Sequence, residues 1–207
     1  MALSSQPIKS QPNRRQFLSV ATGGLALAAL TACANPQARV TESHYGLTPQ
    51  LEGLTLSSGQ IKIERITANG IFAGRPIIEQ VSTQPERYVE TRSKLWHSSP
   101  SDLIRDALIK GWNDASNRQV ITSSLSAPAE YRLDIDLMGI GYGASGQGFV
   151  KLRAVLTDSK RQVLIDSHYD AAGPSAIDLD GSVVSIETAL SEAFNALGAD
   201  ISAATSS

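Results

Sequence analysis

The chain has 207 residues, 18 of them basic and 20 acidic, and its formal net charge of -2 excludes a general attraction for nucleic acid. A hydrophobic content of 42% and this length fit one globular domain with a tail, rather than two full domains or a disordered chain. The single cysteine, Cys33, excludes an internal disulfide and a cysteine-based zinc cluster.

The first 32 residues have the pattern of an export signal. They contain three basic side chains, Lys9, Arg14 and Arg15, and no acidic one, and an apolar run from Phe17 to Ala32 follows. This order, with small residues before a cleavage site, is typical of secretory signals. The apolar run has 16 residues, whereas a helix that spans a bilayer needs roughly 20. We therefore predict a cleaved signal peptide over residues 1–32.

Two motifs specify the type of signal. The paired Arg14 and Arg15 resemble the twin-arginine motif of bacterial export, although ordinary secretory signals also contain such pairs. The segment from Leu30 through Ala32 to Cys33 resembles a lipobox, the recognition sequence for bacterial lipoprotein processing. We predict that Cys33 carries a diacylglycerol and an N-acyl chain, because several acyl chains anchor a protein stably to a membrane.

The residues after the cysteine predict the location of the protein and its tether. Ala34 follows Cys33, where lipoproteins that stay at the inner membrane usually have Asp, so the periplasmic face of the outer membrane is favoured. Residues 33–59 are rich in Ser, Thr, Gln and Pro and have no helical or strand period. We predict a flexible tether over 33–59 and a folded domain over 60–207.

Alternation of apolar and polar residues predicts strands in the first half of the domain. The pattern is clear over residues 61–66 and 87–92 and ambiguous over 75–80. A helix then begins after Ser99, which suits the N-cap, because Pro100 is favoured at the first helical position.

Three strands and a helix are predicted in the second half. The strands cover residues 131–137, 149–156 and 162–170 and have short connections, which favours an antiparallel meander. Apolar residues spaced by three and four predict an amphipathic helix over 180–201. The order of elements predicts an α+β domain in two layers, with a mainly antiparallel sheet of about four to five strands and two helices on one face.

A glycine-rich segment over residues 141–146 matches the Gly-x-Gly-x-x-Gly dinucleotide fingerprint in letters. Nucleotide binding needs a helix directly after this motif, and the pattern from Phe149 onward predicts a strand instead. We interpret residues 141–148 as the crest of a hairpin, and contact of this crest with a partner stays open.

The charged side chains do not form a recognisable catalytic motif. Asp134 and Asp136 lie on one side of a predicted strand, and such a pair could serve glycoside hydrolysis. Lys151 and Arg153 of the next strand could neutralise both carboxylates instead. Three histidines lack the spacing of metal ligands: His44, His97 and His168. We expect neither an enzyme nor a bound metal or cofactor.

Three features of the chain occur together in one known family. They are the lipobox, the segment from Tyr88 to Trp96 before the first helix, and the strand from Tyr131 to Asp136. Together they resemble the ABC-type transport auxiliary lipoprotein family, the PqiC-like group, over roughly residues 60–201.

The resemblance implies an accessory role in lipid transport between two membranes. Members of the family accompany an ABC transporter, with its permease and ATPase, and an MCE-domain substrate-binding protein. The chain would be a docking component at the outer membrane, with a homo-oligomer left open. Our candidate partner-binding residues are Tyr88, Trp96 and Tyr142, because aromatic side chains are favoured interface anchors. Trp96 fits a core position equally well.

Two other functions remain open at this point. One is a structural lipoprotein that docks a β-barrel of the outer membrane, and the other is a hydrolase that uses Asp134 and Asp136. The protein recovered after crosslinking distinguishes the first from a transport component, and Asn substitution at both aspartates tests the second.

Overall fold

The computed structural model describes residues 41–56, 59–84, 86–115, 120–122 and 129–206. The predicted export and lipidation residues lie outside these ranges: Arg14, Arg15, Leu30, Ala32 and Cys33. What the sequence predicts for them therefore stays a prediction. Within the described part of the chain, no helix is long and apolar enough to cross a membrane.

The described part of the domain contains one sheet and two α-helices. In chain order the elements are β1 (Ser43–Tyr45), β2 (Ile61–Ala68), a 3-10 helix (Gly70–Ala73), β3 (Pro76–Thr83), β4 (Glu86–Trp96), α1 (Pro100–Ala115), β5 (Val120–Thr122), β6 (Tyr131–Gly143), β7 (Gly148–Asp158), β8 (Val163–Ala172) and α2 (Leu179–Thr205). The predicted α+β class is confirmed. The sheet, however, has eight strands rather than about four to five, and it is mixed rather than mainly antiparallel.

Strand β6 is the centre of this sheet. Along one edge it pairs with antiparallel β7, which pairs in turn with antiparallel β8. Along its other edge it pairs first with β2 and then with β3, both parallel, so that Ile61 is opposite Tyr131 and Gln80 is opposite Gly143. The 3-10 helix separates β2 from β3 along this edge. These parallel pairings join strands that are far apart in the sequence, and local alternation therefore does not reveal them.

Three connecting segments lie at one end of the sheet. Because β3 runs parallel to β6, the β3–β4 turn and the β6–β7 turn lie at the same end. The segment between β8 and α2 joins them there, since the Ala176 N–H donates to the Ser145 carbonyl at 3.2 Å. We call this end, formed by residues 82–84, 143–148 and 173–178, the crest end.

Both helices cover the same face of the sheet, which we call the inner face. Alternate residues of β6 and β7 point toward it and are fully buried, as a period of two requires. The same buried cluster contains Phe194 of α2 and Trp112 of α1, whose rings meet edge to face at 6.4 Å. Asp178 caps α2 by accepting a hydrogen bond from the Gly181 N–H at 2.8 Å.

The predicted flexible tether is wrong for residues 43–56. Strand β1 pairs with β4, and the segment that follows, residues 47–56, buries three leucines in the main core: Leu47, Leu54 and Leu56. We call this segment the strap. The strap also contains Leu51, and the spacing of its leucines changes from four and three to two along the segment, so no single period runs through it.

A row of hydrogen bonds attaches the strap to helix α2. Four strap N–H groups donate, in chain order, to four helix side chains: Thr48 to Glu187 at 2.7 Å, Gln50 to Ser191 at 2.9 Å, Glu52 to Asn195 at 2.8 Å and Thr55 to Ser202 at 3.2 Å. For the first three bonds the spacings match because two residues of extended chain advance about 6.6 Å and four residues of helix about 6.0 Å. For the last bond, three residues of extended chain advance about 9.9 Å and seven residues of helix about 10.5 Å. Asn195 also donates to the Gln50 carbonyl at 3.4 Å, so its amide group binds the strap as a neighbouring strand would.

The β6–β7 turn packs directly on α2. The Gly148 N–H donates to Oγ of Ser185 at 2.7 Å, and its carbonyl accepts from the Gly173 N–H at 2.9 Å. A Cβ at Gly148 would lie 2.3 Å from a backbone nitrogen of α2, which leaves room for glycine only. Gly146 has a left-handed φ of 71°. Gly146 and Gly148 therefore serve the turn and its contact with α2, and a strand follows them.

The substitution Leu54→Ala tests whether the strap belongs to the core. Leu54 is 2% exposed, and removing a buried leucine side chain costs about 2–5 kcal/mol of unfolding free energy. We expect a loss in that range in chemical denaturation. The control Glu52→Ala keeps the strap's backbone hydrogen bond and should change stability by less than about 0.5 kcal/mol. Equally small effects at both positions would contradict a packed strap.

The substitution Gly148→Ala tests the contact between the crest end and α2. Overpacking of this kind costs about 1–3 kcal/mol, and we expect a lower denaturation midpoint. Gly143→Ala is the matched control, because a Cβ there would lie 3.9 Å from its nearest neighbour, the Gln147 carbonyl. The same midpoint for both variants would show that the turn does not rest on the helix.

Candidate partner-binding site

The face of the sheet opposite the helices, the outer face, carries most of the charged residues of the three-stranded meander. Arg153 of β7 lies directly opposite Asp136 of β6, as predicted. Its guanidinium, however, donates two hydrogen bonds to Asp166 of β8, at 2.7 and 2.6 Å. These bonds lower the pKa of the Asp166 carboxyl. Lys151 contacts Glu86 of β4 at 3.4 Å instead of Asp134.

The two aspartates considered for hydrolysis each have a neighbour on β2. Asp134 lies 3.6 Å from Nε of Arg65, and Asp136 accepts a hydrogen bond from the Thr67 hydroxyl. Such contacts are typical of a solvated, ion-paired sheet surface. Among the described residues, no group of three or more histidine, cysteine, aspartate and glutamate side chains could hold a metal ion.

Three aromatic side chains that are distant in sequence meet on the outer face. Phe72 comes from the 3-10 helix, Tyr88 from β4 and Phe149 from β7. The Tyr88 ring meets Phe72 edge to face at 5.2 Å and meets Phe149 at 6.2 Å with a tilt of 42°. All three side chains are half-buried, so each keeps an accessible edge. We call these three residues the aromatic cluster.

Glycines of β6 make room for the cluster. A Cβ at Gly139 would lie 3.3 Å from the Phe149 ring, and one at Gly141 would lie 3.2 Å from it. The Phe149 ring therefore rests on bare backbone. A β-bulge at this point leaves Met138 50% exposed beside Gly139. The result is an accessible apolar patch between β4 and β7.

Glu86 forms the polar border of the cluster. Its Oε1 accepts hydrogen bonds from the Tyr88 hydroxyl, from Gln80 at 3.2 Å and from Lys151 at 3.4 Å. Burial, and then the hydrogen bond to Glu86, raise the pKa of Tyr88 to about 12. The hydrogen bond from Tyr88, followed by the charge of Lys151, lowers the pKa of Glu86. Near neutral pH the phenol is therefore protonated and the carboxylate charged.

The other two predicted partner residues lie elsewhere in the domain. Trp96 is 1% exposed and belongs to the core, the position that the sequence left open beside an interface role. Tyr142 lies on the inner face near the crest end, where its hydroxyl donates to Glu79 at 3.4 Å. Burial, with the charge of Glu79, raises the pKa of Tyr142. The structure therefore does not bring Tyr88, Trp96 and Tyr142 together.

The histidines take part in local contacts on separate elements. His44 lies 3.7 Å from Glu42 and 3.1 Å from Arg75, and His97 contacts the Tyr45 carbonyl at 3.2 Å. His168 is exposed on β8 opposite Arg153. They share no common site.

Sequence reasoning identified Tyr88 but missed Phe72, Glu86 and Phe149. The period of two along β7 already placed Phe149 on the polar side of its strand, where a large aromatic residue is unusual, and this was a usable signal. No pattern marked Phe72, because its position depends on the 3-10 helix between β2 and β3.

A comparison with known proteins identifies a matching family and two similar crystal structures. The family model for the ABC-type transport auxiliary lipoprotein component matches residues 45–202. The fold is similar to the crystal structure of a DUF330-family protein from Xanthomonas campestris, with a TM-score of 0.68, 18% identity and coverage of 79% of this chain and 97% of that chain. It is also similar to the crystal structure of an uncharacterized protein, with a TM-score of 0.55, 17% identity and the same coverage. No curated protein matches the chain.

At 18% and 17% identity, the similarity to the two crystal structures shows the fold alone. The assignment of the chain to a family rests on the family model. Its match begins in β1, includes the whole strap and ends in α2. Residues 45–59 of the predicted tether are therefore included in the family's domain. The chain belongs to the ABC-type transport auxiliary lipoprotein component family.

Proposed function

We propose that the chain is a periplasmic lipoprotein, anchored to the outer membrane, that docks an MCE-type substrate-binding subunit of an ABC transporter in lipid transport between the two membranes. The observation that carries this proposal is the family match over residues 45–202, which assigns an auxiliary component of ABC-type transport. The family is defined as an auxiliary component of transport, which is not a class of enzyme. The ion-paired surroundings of Asp134 and Asp136 agree with a role in binding rather than in catalysis.

We assign the contact with the partner to the aromatic cluster. Specific interfaces combine an apolar, often aromatic centre with a polar border. Tyr88 and Phe149 supply the centre, while Glu86 and Lys151 supply a border of both charges. Trp96 lacks exposed surface, and we therefore do not assign it to this contact.

The strap limits how far the domain can lie from its proposed anchor. The chain from Cys33 to Ser43, where β1 begins, spans at most about 36 Å when fully extended. A tether that reached residue 59 would span about 90 Å by the same measure. The domain is thus held close to the membrane, and its partner has to cross most of the periplasm to meet it.

A photo-crosslinking amino acid in place of Tyr88 tests the partner and the surface together. We expect the probe at position 88 to crosslink an MCE-type protein in intact cells, because the outer face is the docking surface. The matched control is the same probe at Asp106, which is exposed on α1 in the opposite layer. Mass spectrometry identifies the crosslinked proteins.

Two results of this experiment would contradict the proposal. Recovery of an outer-membrane β-barrel at position 88 would favour a structural lipoprotein. Equal crosslinking of one MCE-type protein from positions 88 and 106 would move the docking surface away from the aromatic cluster.

The proposed anchor is tested by the variants Cys33→Ser and Ala34→Asp. Cys33→Ser should lose the acyl chains, which mass spectrometry of the purified protein detects. Ala34→Asp should retain the protein at the inner membrane, which fractionation of membranes on a density gradient measures. An unsubstituted protein that carries no acyl chain on Cys33 would contradict the anchor, and an Ala34→Asp variant at the outer membrane would contradict the sorting.

A further inference from the structure

A cleft lined by three arginines lies on the outer face, at the end of the sheet opposite the crest end. Strands β2, β6 and β7 form it together with the turn between β7 and β8. Its volume is about 470 Å³, which is within the range of sites for small ligands. The lining residues are Glu64, Arg65, Arg132, Asp134, Thr157 and Arg161. We call this site the arginine cleft.

A β-bulge in β2 directs two consecutive charged side chains into the cleft. The pairing of β2 with β6 shifts between Ile63 and Arg65. Because Ile63 and Ile66 are both buried on the inner face, the two residues between them, Glu64 and Arg65, both lie on the outer face. Strict alternation would place only one of them there. Bulges are frequent beside functional sites because they redirect side chains in this way.

Arg161 adds the third arginine from a left-handed backbone conformation. Its φ is 65°, and no other non-glycine residue of the described ranges has a positive φ. The turn fixes this conformation. The Arg161 N–H donates to the Asp158 carbonyl at 3.0 Å, and the Asp158 carboxylate accepts from the Lys160 and Gln162 N–H groups, both at 2.8 Å. Glycine would be less strained here, and residues held in such conformations cluster at functional sites.

The guanidinium groups of the cleft keep hydrogen-bond donors available. Arg65 lies 3.6 Å from Asp134, and Arg132 lies 3.7 Å from Glu64. Both distances exceed that of a hydrogen bond. Arg161 forms no salt bridge with any described residue. Three arginines thus face two carboxylates, which leaves one positive charge in the lining.

We propose that the arginine cleft binds a phosphate group. Guanidinium groups suit phosphate because their N–H donors can bind two of its oxygens at once. The carboxylates of Glu64 and Asp134 can bind an ammonium group at the same time. A phosphodiester that carries an ammonium group, such as a phosphoethanolamine headgroup, fits both parts of the lining, whereas inorganic phosphate fits the arginines alone. Such a ligand would bind to this domain whether or not an MCE-type subunit is its partner.

The substitution Arg161→Gly tests the cleft, because it removes the guanidinium group and relieves the left-handed strain. The full-length lipoprotein is purified in a non-ionic detergent and titrated calorimetrically with glycerophosphoethanolamine. We expect the affinity to fall about tenfold or more, as for the loss of a hydrogen bond between charged groups. The denaturation midpoint should be unchanged or higher, because glycine is favoured at this φ. A loss of binding is then separate from a loss of folding.

The matched control is Lys160→Gln, which removes a positive charge from the same turn. Lys160 does not line the cleft. Its substitution should change the affinity less than about twofold, because an exposed charge outside the cleft is screened by solvent and salt.

A titration with inorganic phosphate distinguishes the two sources of the phosphate group. Tighter binding of glycerophosphoethanolamine would support a headgroup site, and tighter binding of inorganic phosphate would support a site for the free ion. No binding of either compound, or equal affinities of the unsubstituted protein and Arg161→Gly, would overturn the inference. Weaker binding of the MCE-type subunit to Arg161→Gly with unchanged phosphate affinity would also overturn it, because the cleft would then contact a protein.

Discussion

The apolar contact between helix α2 and the inner face of β6, β7 and β8 is the interaction on which the rest of the domain depends. It buries Ile186, Phe194 and Leu197 completely and so determines which face of the sheet is left free of helices. The polar side of the same helix then binds the strap, and its first turns bind the β6–β7 turn through Ser185. One helix thus holds together the core, the N-terminal segment and the crest end, and the outer face stays available for a partner.

Sequence reasoning worked where the pattern was local and failed where it was not. Three predicted elements are confirmed: the strand at residues 131–137, the helix that begins at Pro100 and the last helix. Their periods of two and 3.6 can be recognised from neighbouring residues alone. The pairing of β2 and β3 with β6 depends on contacts between distant residues. The packing of the strap was not predicted for a different reason. Its backbone binds to helix side chains, and its composition resembles that of a linker.

The candidate site shows the same division. Tyr88 was identified as an aromatic residue in a strand, but its environment consists of Phe72 and Phe149, which are distant in sequence, and of Glu86, two residues earlier in β4. The glycines of residues 141–148 seemed free to meet a partner, whereas Gly141 permits close contact with Phe149 and Gly148 permits close contact with α2. Glycines in such a segment can therefore be required by packing inside the domain.

We assign the helical layer to the strap of the same chain and the outer face to a transport subunit. Hydrogen–deuterium exchange of the vesicle-bound lipoprotein, with and without the MCE-type subunit, tests this assignment most directly. The account predicts that the subunit slows exchange in β4 and in the 3-10 helix that carries Phe72, and leaves α1 and the strap unchanged. Slower exchange in α1 or the strap, with no change in β4, would contradict it.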